Sequence, residues 1–321
     1  MNRRDIKERR SLKSTASTYV LDTPRSNENL NSLAAKITAI RFPQKGSFNA
    51  GIVENKIEDN YICVYRPDEM SFIGCTIDKN FLVYNNYLKF NITNCADPRL
   101  VWLDKKLYMI YSSTEEVGSR RECIRGAVIM DLDKSDKFID PKPFRVSPQS
   151  LETRQKNWMP FVYENKIYLI ASVCPHIVYR LDGEEEAIEV SNTNWINPWF
   201  YNEFLRGNTN AIKMEDGNYM STFHTVIKIG TIFYYDNGCY TFEGQPPFKV
   251  LRCSNKSYMR AEDAIYPHFR KKNQILVNFP VGMIRDKNKL IISYGDNDSI
   301  VKIMETTVEE MLSLTVNIYN L

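Results

Sequence analysis

The residues of this chain best suited to chemistry fall in five short polar clusters, each leading into an apolar stretch. They are Asn49-Ala50-Gly51, Asp97-Pro98-Arg99, Lys156-Asn157-Trp158, Arg206-Gly207-Asn208-Thr209 and Asn278-Phe279-Pro280. Together they hold one carboxylate, several cations and several amides. Amides and a carboxylate exchange hydrogen bonds with hydroxyl groups, and Lys and Arg form charge-assisted bonds to anionic oxygens. Brought to one place, the set suits a polyhydroxylated ligand, or one that is anionic or requires an anion. Each member also has a plainer reading. Asp97 before Pro98 can simply begin a turn, and His224 at a strand end can be a satisfied structural residue. Trp158 can be core. Trp195 and Trp199 sit in a polar stretch with Asn194 and Asn197, where exposed rings would stack on sugar faces. Pro246-Pro247 shapes a loop by fixing backbone angles. Lys156 is the sharper case, because a cation ahead of an Asn-Trp pair has no evident packing role.

What must position these clusters is a recurring unit: an extended apolar stretch, a charged or Gly-containing turn, and a second apolar strand. Five copies occur, over residues 48–66, 97–113, 158–173, 208–224 and 279–294. Lys106-Leu107-Tyr108-Met109-Ile110-Tyr111 aligns with Lys289-Leu290-Ile291-Ile292-Ser293-Tyr294, and Glu164-Asn165-Lys166-Ile167-Tyr168 has the same form. Counted from Tyr61, Tyr108, Tyr168, Tyr219 and Ile291, the spacings are 47, 60, 51 and 72 residues, which suits propeller blades enlarged by loop insertions. Nineteen Tyr and sixteen Phe against 13 Gly also favour strands. The expected fold is all-β, a five-bladed β-propeller with a short C-terminal helix. Thr306 or Thr307 with Glu309 or Glu310 three residues on forms the capping pattern of that helix. Residues 315–319 then read as a strand that closes the ring. In a propeller the innermost strands face a central channel, so the five clusters converge on the axis.

Composition narrows the alternatives. Lys plus Arg number 42 and Asp plus Glu 39, a net charge of +3, and outside the N-terminus the basic residues are scattered. No nucleic-acid partner is expected. Seven Cys without a Cys-x-x-Cys pair, and an odd count, fit reduced thiols rather than a secreted disulfide framework. His176, His224 and His268 are isolated, so no metal is expected. No apolar run approaches a membrane span, and the N-terminus lacks the apolar stretch of a secretory signal. The expectation is a disordered basic tail over 1–35, one propeller catalytic domain over 36–321, and a cytoplasmic protein with no membrane partner. Oligomeric state is not legible.

At this point the chain resembles glycoside hydrolase family 130, the β-mannoside phosphorylases, and the related family 108 glycosyltransferases that build β-1,2-mannosides. The resemblance spans about residues 48–312. It is carried by Asn49-Ala50-Gly51 with Tyr65-Arg66, Ala96-Asp97-Pro98-Arg99, Lys156-Asn157-Trp158, Arg206-Gly207 with Thr209, Phe223-His224, Gly238-Cys239-Tyr240 with Pro246-Pro247-Phe248, and Tyr294-Gly295 with Asp298. Asn208 and Asn210 stand where many relatives have Gly and Pro, and Asp296-Asn297 where small residues are common. The resemblance implies that Asp97 is the general acid and protonates the glycosidic oxygen through a sugar hydroxyl. It implies that Asn49, Arg66, Arg99, Asn157 and Asp298 hold sugar hydroxyls, and that Arg120, Arg121, Lys156, Arg206, His224 and Tyr240 hold phosphate.

The physical logic is that inverting hydrolysis needs a second carboxylate to activate water, whereas phosphate arrives anionic and needs cations to hold it. No cofactor is implied; inorganic phosphate, a sugar phosphate or a nucleotide sugar would be co-substrate to a mannoside. Attack on an α-linked nucleotide sugar with inversion yields the same β-mannoside, so a GDP-mannose-dependent transferase is one alternative. A catalytically silent glycan-binding propeller is another. A WD or kelch interaction scaffold fits less well, since the Trp-Asp dipeptide and regular spacing are missing.

Overall fold

A computed structural model describes residues 33–40, 42–44, 46–68, 70–81, 84–117, 119–151, 155–200, 205–265 and 275–320. The tail expected over 1–35 lies outside them up to residue 32. Leu33 is already buried, against Met304 and Met311 among others, so packing begins ahead of residue 36.

The chain is almost entirely strand. After β1 (Lys36–Ile40), three antiparallel four-stranded meanders follow in order. The first is β2 (Phe48–Glu54), β3 (Tyr61–Arg66), β4 (Ile73–Ile77) and β5 (Tyr84–Lys89); the second is β6 (Cys95–Leu103), β7 (Lys106–Val117), β8 (Ser119–Asp131) and β9 (Phe144–Arg145). The third is β10 (Met159–Tyr163), β11 (Lys166–Ser172), β12 (His176–Leu181) and β13 (Ile188–Thr193). The remaining strands make one ten-stranded sheet with two antiparallel parts. In one part β14 (Arg206–Gly207) and β15 (Ile212–Lys213) both pair β16 (Tyr219–Ile229), followed by β17 (Ile232–Phe242) and β18 (Val250–Ser254). The other runs through β19 (Ile275–Asp286), β20 (Lys289–Asp296) and β21 (Ile300–Thr307) to β1. A parallel pairing of Phe233, Tyr234 and Tyr235 with Ile275, Leu276 and Val277 joins the parts.

Local chemistry explains the hairpins. Glu164 and Asn165 both take positive φ between Tyr163 and Lys166, which a two-residue turn matched to the right-handed strand twist requires. The helix α1 (Val308–Ser313) starts where expected, with the Thr307 side chain accepting from the Glu310 backbone N–H. The expectation for the last strand is corrected. β22 (Thr315–Asn317) pairs β18, and it is β1, from the other end of the chain, that pairs β21 along Lys36 to Ile40. The three residues of β22 follow directly on α1, which turns them back onto β18; five residues of β1 offer the longer ladder. The outer edge of β21 is thereby covered.

Apolar clusters lie between successive sheets and return to the first. Val53 and Ile62 pack with Leu107 and Met109, Tyr108 and Ile110 with Ile167 and Leu169, and Phe161 and Tyr168 with Phe223 and Phe242. Met220 and Cys239 pack with Met283 and Ile292, and Ile291 and Val301 with Ile52 and Cys63. This arrangement of multiple sheets fits a propeller, and the first strands, β2 against β6 and β19, and β6 against β10, meet at its middle.

Candidate active site

The polar clusters reach one cavity because of a shared backbone device. The β2–β3 register slips between Phe48 and Gly51, and the β6–β7 register between Ala96 and Arg99. At these bulges Asn49 (φ 46) and Asp97 (φ 57) take the left-handed conformation, as does Asn157 (φ 60) just ahead of β10. A bulge re-aims the side chain it carries, and Asn and Asp are the side-chain-bearing residues that best tolerate positive φ. Asp298 (φ 49) reaches the cavity from the turn between β20 and β21. There the side chain of the preceding Asn297 accepts from the Val277 N–H at 2.7 Å, while its own N–H donates to the Val277 carbonyl. Two glycines make room. A Cβ on Gly51 would stand 2.2 Å from the Pro98 carbonyl oxygen, and one on Gly295 2.0 Å from Asn49 Oδ1.

The cavity, of about 360 Å³, is lined by Asn49, Arg66, Asp97, Lys156, Asn157, Arg206, His224 and Asp298 among the residues expected to form the site. Asn49 Nδ2 donates to Asp97 Oδ1 at 3.0 Å, and Arg66 meets the same oxygen at 3.3 Å. The second carboxylate oxygen makes no bond to a described residue. Arg66 is in turn held over the Phe48 ring, 4.5 Å from its centre. Lys156 forms an ion pair with Glu122 at 2.8 Å, so the cation without an evident packing role meets a carboxylate that the sequence reading missed. Asn157 keeps a buried Oδ1 without a partner among the described residues. Three cations (Arg66, Lys156, Arg206) thus face three carboxylates (Asp97, Glu122, Asp298). One wall is apolar, with Tyr235, Ile275, Val277 and Phe279.

Three expected roles do not match the geometry. Arg99 is buried away from the cavity and donates to the backbone carbonyls of Asp97, Gly207 and Asn208; burial pulls its guanidinium down to about 10. It braces the clusters instead of lining the cavity, because the bulge between Ala96 and Arg99 breaks the alternation that would place residues two apart on one face. Tyr240 lies in the core between the third meander and β16–β17, beside His176, Phe223 and Phe242, where burial pushes its hydroxyl well above the ordinary range. It does not line the cavity, since its side of β17 faces the sheet packed against it. His224 does line the cavity, but burial, then the neighbouring charges of Arg206 and Arg99, pull it down to about 3. It stands as a neutral ring and not as a cation. Arg120 and Arg121 lie outside the described side chains. Trp158 is buried, and Trp195 and Trp199 pack against core, Trp195 donating to the Val173 carbonyl. Glu122 and Tyr235 escaped the reading because they sit inside long strands, with no turn residue to mark them. Among the described residues, no group of three or more His, Cys, Asp or Glu is placed to hold a metal ion, and no helix is long and apolar enough to cross a membrane.

A carboxylate held through one oxygen by an amide and a guanidinium, with two further carboxylates and two further cations around the same cavity, suits a polyhydroxylated, sugar-like ligand. The sequence model of glycoside hydrolase family 130, described as beta-1,4-mannooligosaccharide phosphorylase, matches residues 73–317, and the chain belongs to that family. No curated protein matches it. Among solved structures, the β-1,2-mannobiose phosphorylase from Listeria innocua, in complex with β-1,2-mannobiose, is 12% identical with a TM-score of 0.62, covering 92% of this chain and 96% of that one. A GDP-Man-dependent mannosyltransferase from Leishmania mexicana is 12% identical with a TM-score of 0.60, covering 88% and 94%. A glycosyl hydrolase from Bacteroides ovatus is 12% identical with a TM-score of 0.61, covering 95% and 97%. At such identities these likenesses speak for the fold.

Proposed function

We propose that residues 36–321 form one five-bladed β-propeller catalytic domain that acts with inversion on β-mannosides, by phosphorolysis or synthesis of β-1,2-linked mannosides, with Asp97 as general acid. The observation that carries the reading is the Asp97 carboxylate: one oxygen is held by Asn49 and Arg66 and the other is left to the cavity. Membership of a mannoside phosphorylase family supports it, as does the likeness to the β-1,2-mannobiose phosphorylase from Listeria innocua.

In phosphorolysis, Asp97 gives its proton, by way of a sugar hydroxyl, to the glycosidic oxygen as the C1–O bond breaks. A phosphate oxygen attacks C1 from the opposite face, and the products are an α-mannose 1-phosphate and the shortened mannoside. No second carboxylate is needed to activate water. Asn49, Arg66, Asn157 and Asp298 hold sugar hydroxyls, the buried Asn157 Oδ1 being an acceptor in want of a donor. Arg206, Lys156 and the Arg120-Arg121 pair hold phosphate; phosphate at Lys156 must compete with Glu122 for the ammonium group. The seven free cysteines support a reducing, cytoplasmic setting.

A second reading, mannosyl transfer from GDP-mannose, is favoured by one observation. A neighbouring cavity of about 540 Å³ shares Asn94, Ser113 and Thr114 with the first and is lined by Arg125 and Arg145. That is room and charge for a nucleoside diphosphate. The test is a paired incubation of a mannose acceptor with mannose 1-phosphate or with GDP-mannose, reading new β-mannosides and released phosphate or GDP. Product from the sugar phosphate alone supports the phosphorylase, and product from GDP-mannose the transferase. Product from neither sinks both and leaves a glycan-binding propeller.

A further inference from the structure

The buried polar network behind His224 fixes something that a list of cavity residues does not, namely which ring nitrogen carries the proton. Behind His224 lies Asn237, which is fully buried. Its side-chain amide meets the backbone carbonyls of Met259 at 3.2 Å and Asn278 at 2.8 Å. Carbonyls only accept, so that end of the amide is the NH2 and the other end is the oxygen. The Asn237 oxygen meets the side chain of Asn208 at 2.9 Å, which must therefore present its own NH2. The oxygen of Asn208 then faces His224 Nδ1 at 2.6 Å, and two acceptors cannot share one bond without a proton between them. Nδ1 carries that proton.

We propose that the Asn237–Asn208 relay locks His224 as the Nδ1–H tautomer, so that Nε2 is a hydrogen-bond acceptor at the cavity wall, and that it receives a hydroxyl of the sugar, not phosphate. In the neutral ring one nitrogen donates and the other accepts. A sugar hydroxyl can donate to Nε2 without bringing charge; hydrogen phosphate has a single P–OH at its dianionic stage, and its remaining charged oxygens, acceptors like Nε2 itself, find no donor on this ring. The ring is fixed in orientation as well, stacked on Tyr235 at 5.6 Å and edge-on to Phe279 at 5.2 Å. Arg206 and Arg99 stand close enough to disfavour a second proton. The relay depends on the side chains of Asn208 and Asn237, so the acceptor is a property of this chain's own residues. The hydroxyl assignment rests on the mannoside reading above; the tautomer does not.

The experiment uses the full chain with 15N-labelled histidine, whose three histidines are assigned by replacing each in turn. Long-range proton–nitrogen correlation at pH 7 without ligand is expected to give His224 a protonated Nδ1 and a bare Nε2, unchanged down to pH 5. An Nε2–H tautomer, or a ring that titrates between pH 5 and 8, overturns the proposal. Next, D-mannose and inorganic phosphate are added separately. Mannose is expected to move the His224 Nε2 resonance and phosphate alone to leave it in place. If mannose moves other resonances of the protein but not this one, or phosphate moves it, the hydroxyl assignment fails while the mannoside reading survives; if mannose moves nothing, the mannoside reading fails. In phosphorolysis, His224→Leu is expected to raise the KM for the mannoside about three- to tenfold and leave that for phosphate unchanged. Asn208→Asp, which places a carboxylate beside Nδ1, is expected to bring the ring's titration into the pH 5 to 8 window. Should either variant fail to fold, the measurements on the unaltered chain decide.

Discussion

Two aspartates in this protein each meet one cation among the described residues, and they differ in what is left over. Asp97 binds Arg66 and Asn49 through a single oxygen at the wall of a cavity. Asp296 is wholly buried, with Lys302 on one oxygen at 2.5 Å and the Ile265 N–H reaching both. The first pair sits on a left-handed bulge, the second on the regular β20–β21 ladder, where Asp296 faces Ile300. A carboxylate with an oxygen to spare beside a cavity can exchange a proton with a ligand; one whose bonds are all made within the protein can only hold structure. The difference teaches that an acid–cation pair becomes a functional site through the backbone that carries it.

The sharpest way to break that comparison is to remove each acid's particular asset. Asp97→Asn keeps shape and hydrogen bonding but has no proton to give. Turnover of the substrate identified by the paired incubation is expected to fall by about 10² to 10⁴, the usual yield of general acid catalysis, with the thermal midpoint nearly unmoved. Near-normal turnover would remove Asp97 from its role. For the sealed pair the expected loss is in stability. Lys302→Met leaves the Asp296 carboxylate buried and uncompensated, and urea unfolding is expected to show about 3 to 5 kcal/mol less stability. A loss under about 1 kcal/mol would mean that water reaches the pair.

A subtler perturbation acts on the support of Asp97. In Gly295→Ala the new Cβ would fall on Asn49 Oδ1, so the Asn49 amide must swing and its bond to Asp97 is lost. We expect about a tenfold fall in kcat/KM, the worth of one charge-assisted hydrogen bond, matched by Asn49→Ala and not deepened in the Gly295→Ala, Asn49→Ala double variant. A double variant well below Asn49→Ala alone would show that Gly295 serves something other than Asn49.

How much of this was legible in the chain follows from what is local. Hairpins such as Tyr163 to Lys166 are written in adjacent residues, and so is the Thr307 cap. The polar residues that lead into each first strand were legible too, as breaks ahead of apolar stretches; the bulges and the left-handed backbone that aim Asn49 and Asp97 were not. Partnership across sheets was not. Nothing near Lys156 names Glu122, 34 positions earlier, and nothing in residues 315–319 says that β1 already closes the sheet. The facing of a strand is equally silent in a short motif: Asp97 and Arg99 stand two apart, yet the bulge between them sends one to the cavity and the other into a brace of backbone carbonyls.

The smallest expected effect tests that last distinction. Tyr240 was grouped with the phosphate ligands by motif, but its ring packs at 5.8 Å from Phe242 and 6.1 Å from Phe223, within an apolar cluster. Its hydroxyl is buried and far from titrating. Tyr240→Phe removes one oxygen and leaves the packing of the ring intact, so the KM for phosphate and kcat are expected to stay within about twofold, and stability within about 1 kcal/mol. A hydroxyl that held phosphate would behave differently: the KM for phosphate alone would rise about tenfold or more, at unchanged stability. That outcome would mean that β17 turns when ligand binds, and that the division between inward and outward faces drawn from Asp97 and Arg99 does not extend to this strand.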